Sequence, residues 1–393
     1  STMQWMIEEA RLGPEQREII DEIHGLNGKP VWIQGHAGSG KSIVLLHALT
    51  DYVIRNPNAN IVVVVFTHAL IDLLASGLRQ IPALKGKRIP VITIYDVNKR
   101  LYKGEKFDAV FCDEIQDIPT VLLERMKNGC NQLIIAGDAA QSIYSSVPNF
   151  NEKPATKKEI IAQLNPIERT TTTIYRLTRT VIGVLKNVYN NLFADMVHIG
   201  REDSDIRLFK ADNYEEEIKF SWSETKQINI DRPGEVNAVL FFKKNDMIRY
   251  VDTILELEGK QKWSEGTYPD YALSSRNFET MNAHLNNQGI SLMYVGNGTG
   301  SLERANAENR IVLITYHSSK GLDFDAVALP SIQTDLGEAD NENAIILVAL
   351  SRAKRDLLIT FTGSMYSGFK RFLLNTTVRE INNLESDNDE VVF

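Results

Sequence analysis

A glycine-rich segment near the start of the chain has the residue types that hold a polyphosphate. Residues 35–42 fit the pattern G-x-x-x-x-G-K-[ST], in which backbone N–H groups turn toward phosphate oxygens. The residues predicted to line this loop are Gly35, Ala37, Gly38, Ser39, Gly40, Lys41 and Ser42. Lys41 can reach the β- and γ-phosphates of a nucleotide, and the Ser42 hydroxyl can ligate Mg²⁺. A strand predicted at 31–34 and an amphipathic helix at 43–54 argue against the alternative, a glycine-rich turn that binds nothing.

Two carboxylates follow another predicted strand and would complete a hydrolytic site. The apolar residues 107–112 end in Asp113 and Glu114. A carboxylate at a strand end can hold Mg²⁺, and its neighbour can polarise an attacking water. We assign the metal to Asp113 and the role of general base to Glu114. Gln141 follows the predicted strand 133–136, where an amide could sense the γ-phosphate. Without a phosphate loop, the carboxylate pair would indicate only an acidic turn.

These residues need parallel strands that end at one edge of a sheet. Short β-branched apolar runs alternate with helical patterns along the chain, which is typical of a parallel α/β sheet. Strands are predicted at residues 31–34, 61–66, 89–94, 107–112 and 133–136, and then at 206–209, 236–242, 290–294, 311–315 and 357–361. The two strand series predict two α/β lobes, placed at residues 1–160 and 161–393, with a small insertion near 258–277.

Composition indicates an ordinary soluble globular protein. The 393 residues are 43% hydrophobic and 24% charged, and they allow two or three domains. Cys112 and Cys130 are too few for a disulfide framework and suit a reducing compartment. No apolar run approaches the roughly 20 residues that span a bilayer, and residues 1–11 have no signal-peptide core. We therefore expect a cytoplasmic location and no membrane partner.

Charge gives a mixed indication about nucleic acid. The net charge of −8 counts against a protein that binds nucleic acid over its whole surface. A groove needs only local positive charge, and residues 85–106 are rich in it. The basic residues of this segment are Lys85, Lys87, Arg88, Lys99, Arg100, Lys103 and Lys106. They could grip phosphates.

The motifs, taken in order, resemble those of superfamily-1 helicases of the UvrD/Rep/PcrA type, in a compact form. The resemblance runs from about Leu12 to Thr360. Its motifs are Leu12-Gly13-Pro14-Glu15-Gln16, residues 35–42, Asp113-Glu114-Ile115-Gln116-Asp117, residues 137–144, Tyr175-Arg176, residues 315–324 and residues 348–353. The resemblance implies two RecA-like P-loop lobes with parallel sheets and an ATP site in the cleft between them.

The same resemblance implies ATP and Mg²⁺ as cofactors and assigns further residues to the nucleotide. Gln16 would read the adenine edge, and Gly321 and Asp323 would contact the nucleotide. Asp323 stands where glutamate is usual, which puts a ribose contact in doubt. Arg176 and Arg352 would act as arginine fingers that reach the γ-phosphate from the second lobe. A surface salt bridge is the ordinary alternative for either arginine.

The segments that contact the strand in this family depart most from its pattern. Where an aromatic residue is usual for base stacking, the chain has Ser146, and Phe150 is the nearest aromatic. The remaining candidates for nucleic-acid contact are Phe66, Thr67, His68, Tyr95, Tyr144 and His317. Ordinary packing beside a sheet edge is the alternative for each.

Short intervals separate Thr67 from Asp113 and Arg176 from Thr315, where helicases of this type carry large accessory subdomains. The sequence therefore predicts two motor lobes without most of those insertions. The first hypothesis is an ATP-dependent translocase or helicase on single-stranded DNA rather than RNA, with 3′→5′ polarity and weak unwinding alone. The second is an ATP-operated regulatory subunit that controls a protein partner such as a nuclease. A small-molecule kinase would leave the paired arginines unexplained.

Overall fold

The computed structural model describes most of the chain. The described residues are 13–23, 28–35, 41–79, 81–138, 147, 150–171, 173–174, 179–189, 197–198, 205–263, 275–337 and 342–384. They form two parallel β-sheets flanked by helices, as the alternation of strand and helix patterns predicts. Within these ranges, no helix is both long and apolar enough to cross a bilayer.

The first sheet has six parallel strands in the order β3-β2-β4-β5-β1-β6. The strands are β1 Val31–Gly35, β2 Ile61–Val65, β3 Val91–Thr93, β4 Phe107–Cys112, β5 Cys130–Ala136 and β6 Ile167–Thr171. The helices packed on this sheet are α1 Pro14–Ile23, α2 Lys41–Arg55, α3 His68–Arg79, α4 Ile94–Tyr102, α5 Thr120–Asn128 and α6 Lys157–Leu164. Both faces of β2 are buried, which explains its unbroken Ile-Val-Val-Val-Val sequence.

The second sheet has seven strands in the order β11-β12-β10-β13-β14-β9-β15, and all of its pairs are parallel. Its strands are β9 Asp205–Ala211, β10 Asn237–Phe241, β11 Leu292–Tyr294, β12 Ile311–Thr315, β13 Phe324–Leu329, β14 Ala353–Thr362 and β15 Val378–Glu380. Its helices are α7 Arg179–Lys186, α8 Tyr214–Asp231, α9 Lys244–Leu257, α10 Ser275–Asn287, α11 Leu302–Ala307, α12 Glu342–Leu350 and α13 Ser367–Phe372. Two short strands, β7 Thr173–Ile174 and β8 Val197–His198, pair separately.

The two-lobe α/β architecture is confirmed, and every predicted strand overlaps an observed one. The boundary after residue 160 is wrong, because β6 pairs along β1 and belongs to the first sheet. Strand β6 is not predicted because its sequence, Ile-Glu-Arg-Thr-Thr, has no apolar run. It lies at the edge of the sheet, where charged side chains are tolerated. Of the proposed insertion near 258–277, residues 264–274 lie outside the described part of the chain.

The chain leaves the first sheet beside the phosphate loop. Thr171, the last residue of β6, lies opposite Gly35 in the strand register, and its hydroxyl donates to the Gln34 carbonyl at 3.2 Å. By α7 the chain has joined the second lobe, where this helix packs against α12 and α13.

A second contact between the lobes lies on the outside of the molecule. Helix α11 follows the tight turn at Gly296–Thr299, within the short interval between Arg176 and Thr315, and it packs on α3 of the first lobe. Arg79 of α3 and Glu303 of α11 form an exposed ion pair at 3.3 Å.

Candidate active site

The described phosphate-loop residues, Gly35, Lys41 and Ser42, lie where an interior strand of the first sheet ends and a helix begins. Gly35 ends β1, which is flanked by β5 and β6, and Lys41 begins α2. Lys41 is buried in the first turn of α2, and that turn has free backbone N–H groups and a partial positive charge. The predicted loop residues Ala37, Gly38, Ser39 and Gly40 lie outside the described residues.

The predicted metal residues are in direct contact. The Ser42 hydroxyl donates to Asp113 Oδ2 at 2.6 Å, and Asp113 is fully buried at the end of β4. Burial and then the Glu114 charge raise the pKa of the Asp113 carboxyl to about 6, against the lowering effects of Ser42 and Lys41. A hydroxyl and a carboxylate oxygen this close are ligands that Mg²⁺ prefers. The residues therefore fit a magnesium ion, which Ser42 and Asp113 would hold.

Glu114 is buried beside Asp113 in an unusual backbone conformation. Its φ of 56° places it in the left-handed region, which is uncommon for residues other than glycine and is often found at functional sites. Burial acts to raise the pKa of Glu114, but the positive charges of Lys320, Lys41 and Arg352 and a hydrogen bond from Gln116 lower it overall. Glu114 is therefore an ionised carboxylate at neutral pH, on which charges from both lobes converge.

Gln116 links Glu114 to the loop after β5. Its Nε2 donates to Glu114 Oε2, and its Oε1 accepts the backbone N–H of Asp138 at 3.2 Å. Gly137 has a φ of 147°, and a Cβ there would lie 2.1 Å from Gln116 Oε1. Only glycine leaves room for this contact. Gln116 therefore connects Glu114 to the segment that leads toward Gln141, which itself lies outside the described residues.

The turn at 315–324 in the second lobe reaches into the first lobe. Lys320 Nζ donates to Asp117 Oδ2 at 2.8 Å and lies 3.8 Å from Glu114 Oε2, and all three side chains are buried. Gly321 has a φ of 81°, and a Cβ on it would lie 2.8 Å from Leu70 and 3.3 Å from Glu114 Oε1. The second lobe therefore places a cation directly on the predicted general base.

Arg352 is buried at the same boundary and is held by its own lobe. Its guanidinium donates to the carbonyls of Leu322 at 2.8 Å, Val348 at 2.9 Å and Ser319 at 3.3 Å, and to the Ser351 hydroxyl at 2.9 Å. Its charge nevertheless lowers the pKa of Glu114 across the boundary. Arg352 thus supports the turn that carries Lys320, and its role as an arginine finger stays a prediction.

The other predicted nucleotide contacts are more scattered. Gln16 is fully buried on α1, and its Oε1 accepts the Gly13 N–H at 3.2 Å. Asp323 precedes β13 and pairs with Lys354 at 3.9 Å. Arg176 lies outside the described residues.

The predicted strand contacts in the first lobe lie at the carboxyl edge of the sheet but are occupied with one another. Phe66 is buried after β2 and packs edge-on against Tyr95, which follows β3. Tyr95 in turn stacks on Phe150 with ring centroids 5.8 Å apart. The Thr67 hydroxyl accepts the Leu70 N–H at 3.3 Å, and His68 is exposed. Tyr144 lies outside the described residues.

His317 follows β12 in the second lobe, with its ring 5.8 Å from that of Phe242. Burial, helped by the nearby Lys320 charge, lowers the pKa of His317 to about 4. The ring is therefore neutral at physiological pH, and it can donate a hydrogen bond or stack but cannot pair with a phosphate as a cation.

The two ends of the basic segment, residues 85–88 and 103–106, do not lie at this edge. Residues 85–88 precede β3 and residues 103–106 precede β4, so they lie at the amino ends of the strands. The phosphate loop, Thr67 and Tyr95 follow the carboxyl ends. The length of the sheet separates these lysines from the phosphate loop, Thr67 and Tyr95, and their grip on phosphates stays a prediction.

The buried ion pair between the lobes leads to a first prediction. Lys320→Met keeps the apolar stem and removes the charge, which leaves Asp117 and Glu114 buried without that cation. Breaking a buried pair in this way costs about 3–5 kcal/mol, so the free energy of unfolding in urea should fall by that order. Asp117→Asn combined with Lys320→Met should lose less than the sum of the two single variants.

The matched control is the exposed lobe-to-lobe pair, because Arg79→Met and Glu303→Gln remove an ion pair that solvent already screens. These variants should unfold almost as the wild type does. Additive losses in the Lys320 and Asp117 cycle would show that the two side chains do not interact.

Three residues of this site have no role in the sequence analysis, although they lie within its motifs: Gln116, Asp117 and Lys320. Lys320 and Asp117 are 203 positions apart. A lone lysine before a glycine gives no sign of a partner in another lobe. Among these three residues, only Gln116 could have been predicted from the sequence, from its position two residues after Glu114.

Comparison with known protein families gives two matches. A profile of the UvrD-like helicase C-terminal domain matches residues 276–364, and an AAA domain profile matches residues 16–147. Together they span more than half of the chain, in the order that the motifs predict. The two matches support a UvrD-like helicase or ATPase of superfamily 1, and the resemblance inferred from the motifs is confirmed.

No curated protein matches the chain. Among solved structures, the chain matches the crystal structure of Arterivirus nonstructural protein 10 (helicase) and a complex of that helicase with DNA. Both are 14% identical to this chain, with TM-scores of 0.43 and 0.42. Each match covers 91% of this chain, but only 64% and 65% of the respective viral chains. The chain thus spans less than two thirds of either.

Proposed function

We propose that this chain is an ATP-driven motor that moves 3′→5′ along single-stranded DNA and unwinds duplexes poorly by itself. The observation that carries the proposal is the contact of Lys320, from the second lobe, with Glu114 and Asp117 of the first. A nucleotide-binding protein that works within one lobe has no use for such a contact. A motor needs it, because hydrolysis must be tied to the relative position of the lobes.

In the proposed reaction, a water attacks the γ-phosphorus of ATP while the bond to the β-phosphate oxygen breaks, giving ADP and phosphate. The Glu114 carboxylate orients the water and takes its proton. Lys41 and Arg352 offset the negative charge on the transferred phosphoryl oxygens. Mg²⁺ held by Ser42 and Asp113 would supply further positive charge and fix the phosphates in place.

The assay that tests the proposal is ATP turnover with and without single strands of DNA and RNA, with Lys41→Ala as the inactive reference. Strong stimulation by DNA, weaker stimulation by RNA and faster displacement of a protein block from the 5′ end than from the 3′ end are expected. Turnover that no strand stimulates would contradict the proposal.

The second candidate is an ATP-operated subunit that controls a partner enzyme such as a nuclease. One observation favours it: Phe150, the aromatic residue nearest to the usual stacking position at Ser146, packs on Tyr95, which in turn packs on Phe66. In this case strands would leave ATP turnover unchanged, and a co-purifying enzyme would raise it.

Poor unwinding is itself a testable expectation. Opening a duplex costs about 1.4 kcal/mol per base-pair step, and a part of the protein must bind the junction where the two strands separate. Within the described residues, 81–90 connect α3 directly to β3, and α11, within the short interval between Arg176 and Thr315, packs on α3. We therefore expect translocation on single strands but little separation of a long tailed duplex by the pure protein. Efficient unwinding would show that a fork-splitting element has been overlooked.

A further inference from the structure

Three loops meet at the amino edge of the first sheet, the edge opposite the ATP site. They are residues 56–60 before β2, 85–90 before β3 and 103–106 before β4. The Lys87 ammonium donates to the Pro57 carbonyl at 3.3 Å, and the Asn60 amide donates to the Lys106 carbonyl at 3.2 Å. These bonds join the loops into one surface, which the last turn of α4 borders.

This surface, called the basic edge here, carries more positive charge than its neighbours neutralise. Its exposed cations are Lys85, Lys87, Arg88, Lys99, Lys103 and Lys106. No carboxylate of the described residues pairs with any of them. Of the nearby acids, Glu105 lies 3.9 Å from Arg100, and Asp108 accepts the Asn60 N–H at 2.6 Å. A concentration of unpaired cations on a protein of net charge −8 indicates a polyanionic partner.

An aromatic ring is presented among these cations. Tyr102, at the end of α4, is 78% exposed. The Arg125 guanidinium covers its ring at 5.6 Å from the centroid and is itself held by the Asn98 side chain at 2.6 Å. A large ring kept in solvent by a fixed arginine is a platform on which a nucleobase can stack.

We propose that the basic edge is a second nucleic-acid-binding surface, which holds single-stranded phosphate backbone with its lysines and stacks a base on Tyr102. The ring favours nucleic acid over an acidic protein, because every base offers a face to it. At about 3.3 Å per residue, β4 places this surface roughly 20 Å from Asp113. It would therefore hold a part of the strand that has left the cleft, or a separate strand.

This inference rests on the proposed function only in naming nucleic acid as the partner. The test measures the affinity of the protein for two oligothymidylates across a range of salt concentrations. The short one fills only the cleft, and the long one can also reach the basic edge. The variant is Lys85→Gln with Lys103→Gln and Lys106→Gln. For the long strand, the slope of log affinity against log salt should fall by about 2, because each phosphate contact contributes about 0.7. Affinity for the long strand should fall about tenfold.

The matched control replaces three exposed lysines of the second lobe, Lys219, Lys260 and Lys370, with glutamine. It should leave binding unchanged. Tyr102→Ala should weaken long-strand binding about tenfold without changing the salt slope, and Tyr102→Phe should restore it. Short-strand affinity and maximal ATP turnover should be the same in all of these proteins.

Equal salt slopes for the two triple variants would overturn the inference. So would normal strand binding combined with a specific loss of polyglutamate binding, since the surface would then dock an acidic protein. The proposed motor function fails on a different signal, the absence of strand-stimulated ATP turnover, so the two failures are distinguishable.

Discussion

Replacing Arg352 with alanine should lower ATP turnover by about 10³–10⁵ while changing nucleotide affinity far less. The negative charge that this guanidinium is proposed to offset develops only as the phosphoryl group transfers, so its loss should act on the transition state more than on bound ATP. Its bonds to the carbonyls of Ser319 and Leu322 add a second effect. Without them, the turn that carries Lys320 should loosen, and lobe closure on ATP should weaken.

The measurement is steady-state turnover beside titration of a fluorescent ATP analogue. Arg352→Lys keeps the charge but not the forked donors, so it separates charge from support of the turn. Arg355→Ala is the matched control, because Arg355 is half-exposed and pairs with Glu235 and Asp356 away from the site. An Arg352→Ala protein with normal turnover and a lower melting temperature would show that this arginine is purely structural.

Glu114→Gln should leave ATP and Mg²⁺ binding intact and lower turnover by about 10²–10⁴. The amide has the shape of the carboxylate but cannot take a proton from water. Glutamine should also keep the contact with Gln116 through its own carbonyl oxygen.

Single-turnover kinetics would measure the rate of hydrolysis, and nucleotide titration would measure affinity. The control is Glu124→Gln on the exposed face of α5. If the Glu114→Gln protein loses nucleotide affinity while its residual rate stays normal, Glu114 is not the general base.

The sequence predicts those parts of the fold and site that depend on local pattern. Strands such as β2 and β4 are apolar runs between polar turns, and the phosphate loop is a contiguous motif. Strand β13 repeats the Phe-Asp-Ala-Val sequence of β4 and could have been predicted, whereas β6 and β15 are edge strands with charged residues.

What depends on distant parts of the chain could not be predicted. Lys320 meets Asp117 only because the turn at 315–324 of the second lobe reaches into the first lobe. The lysines of residues 85–106 are adjacent in sequence to the strand-contact segments, but a parallel sheet sends the two ends of each strand to opposite edges. Which edge of the sheet these lysines occupy therefore follows from the fold and not from their position in the sequence.

The register of β6 also has a mechanical consequence. Because Thr171 lies opposite Gly35, the chain leaves the first sheet beside the phosphate-loop residues, and we expect any rotation of the lobes to pivot near them. A rotation about such a point moves the groups around the phosphates very little, but it moves distant surfaces in proportion to their lever arm. A small movement around the phosphates can thus produce a large displacement of the distant surfaces. Inserting residues into the connection after Thr171 should weaken the coupling between the two lobes and leave ATP binding intact.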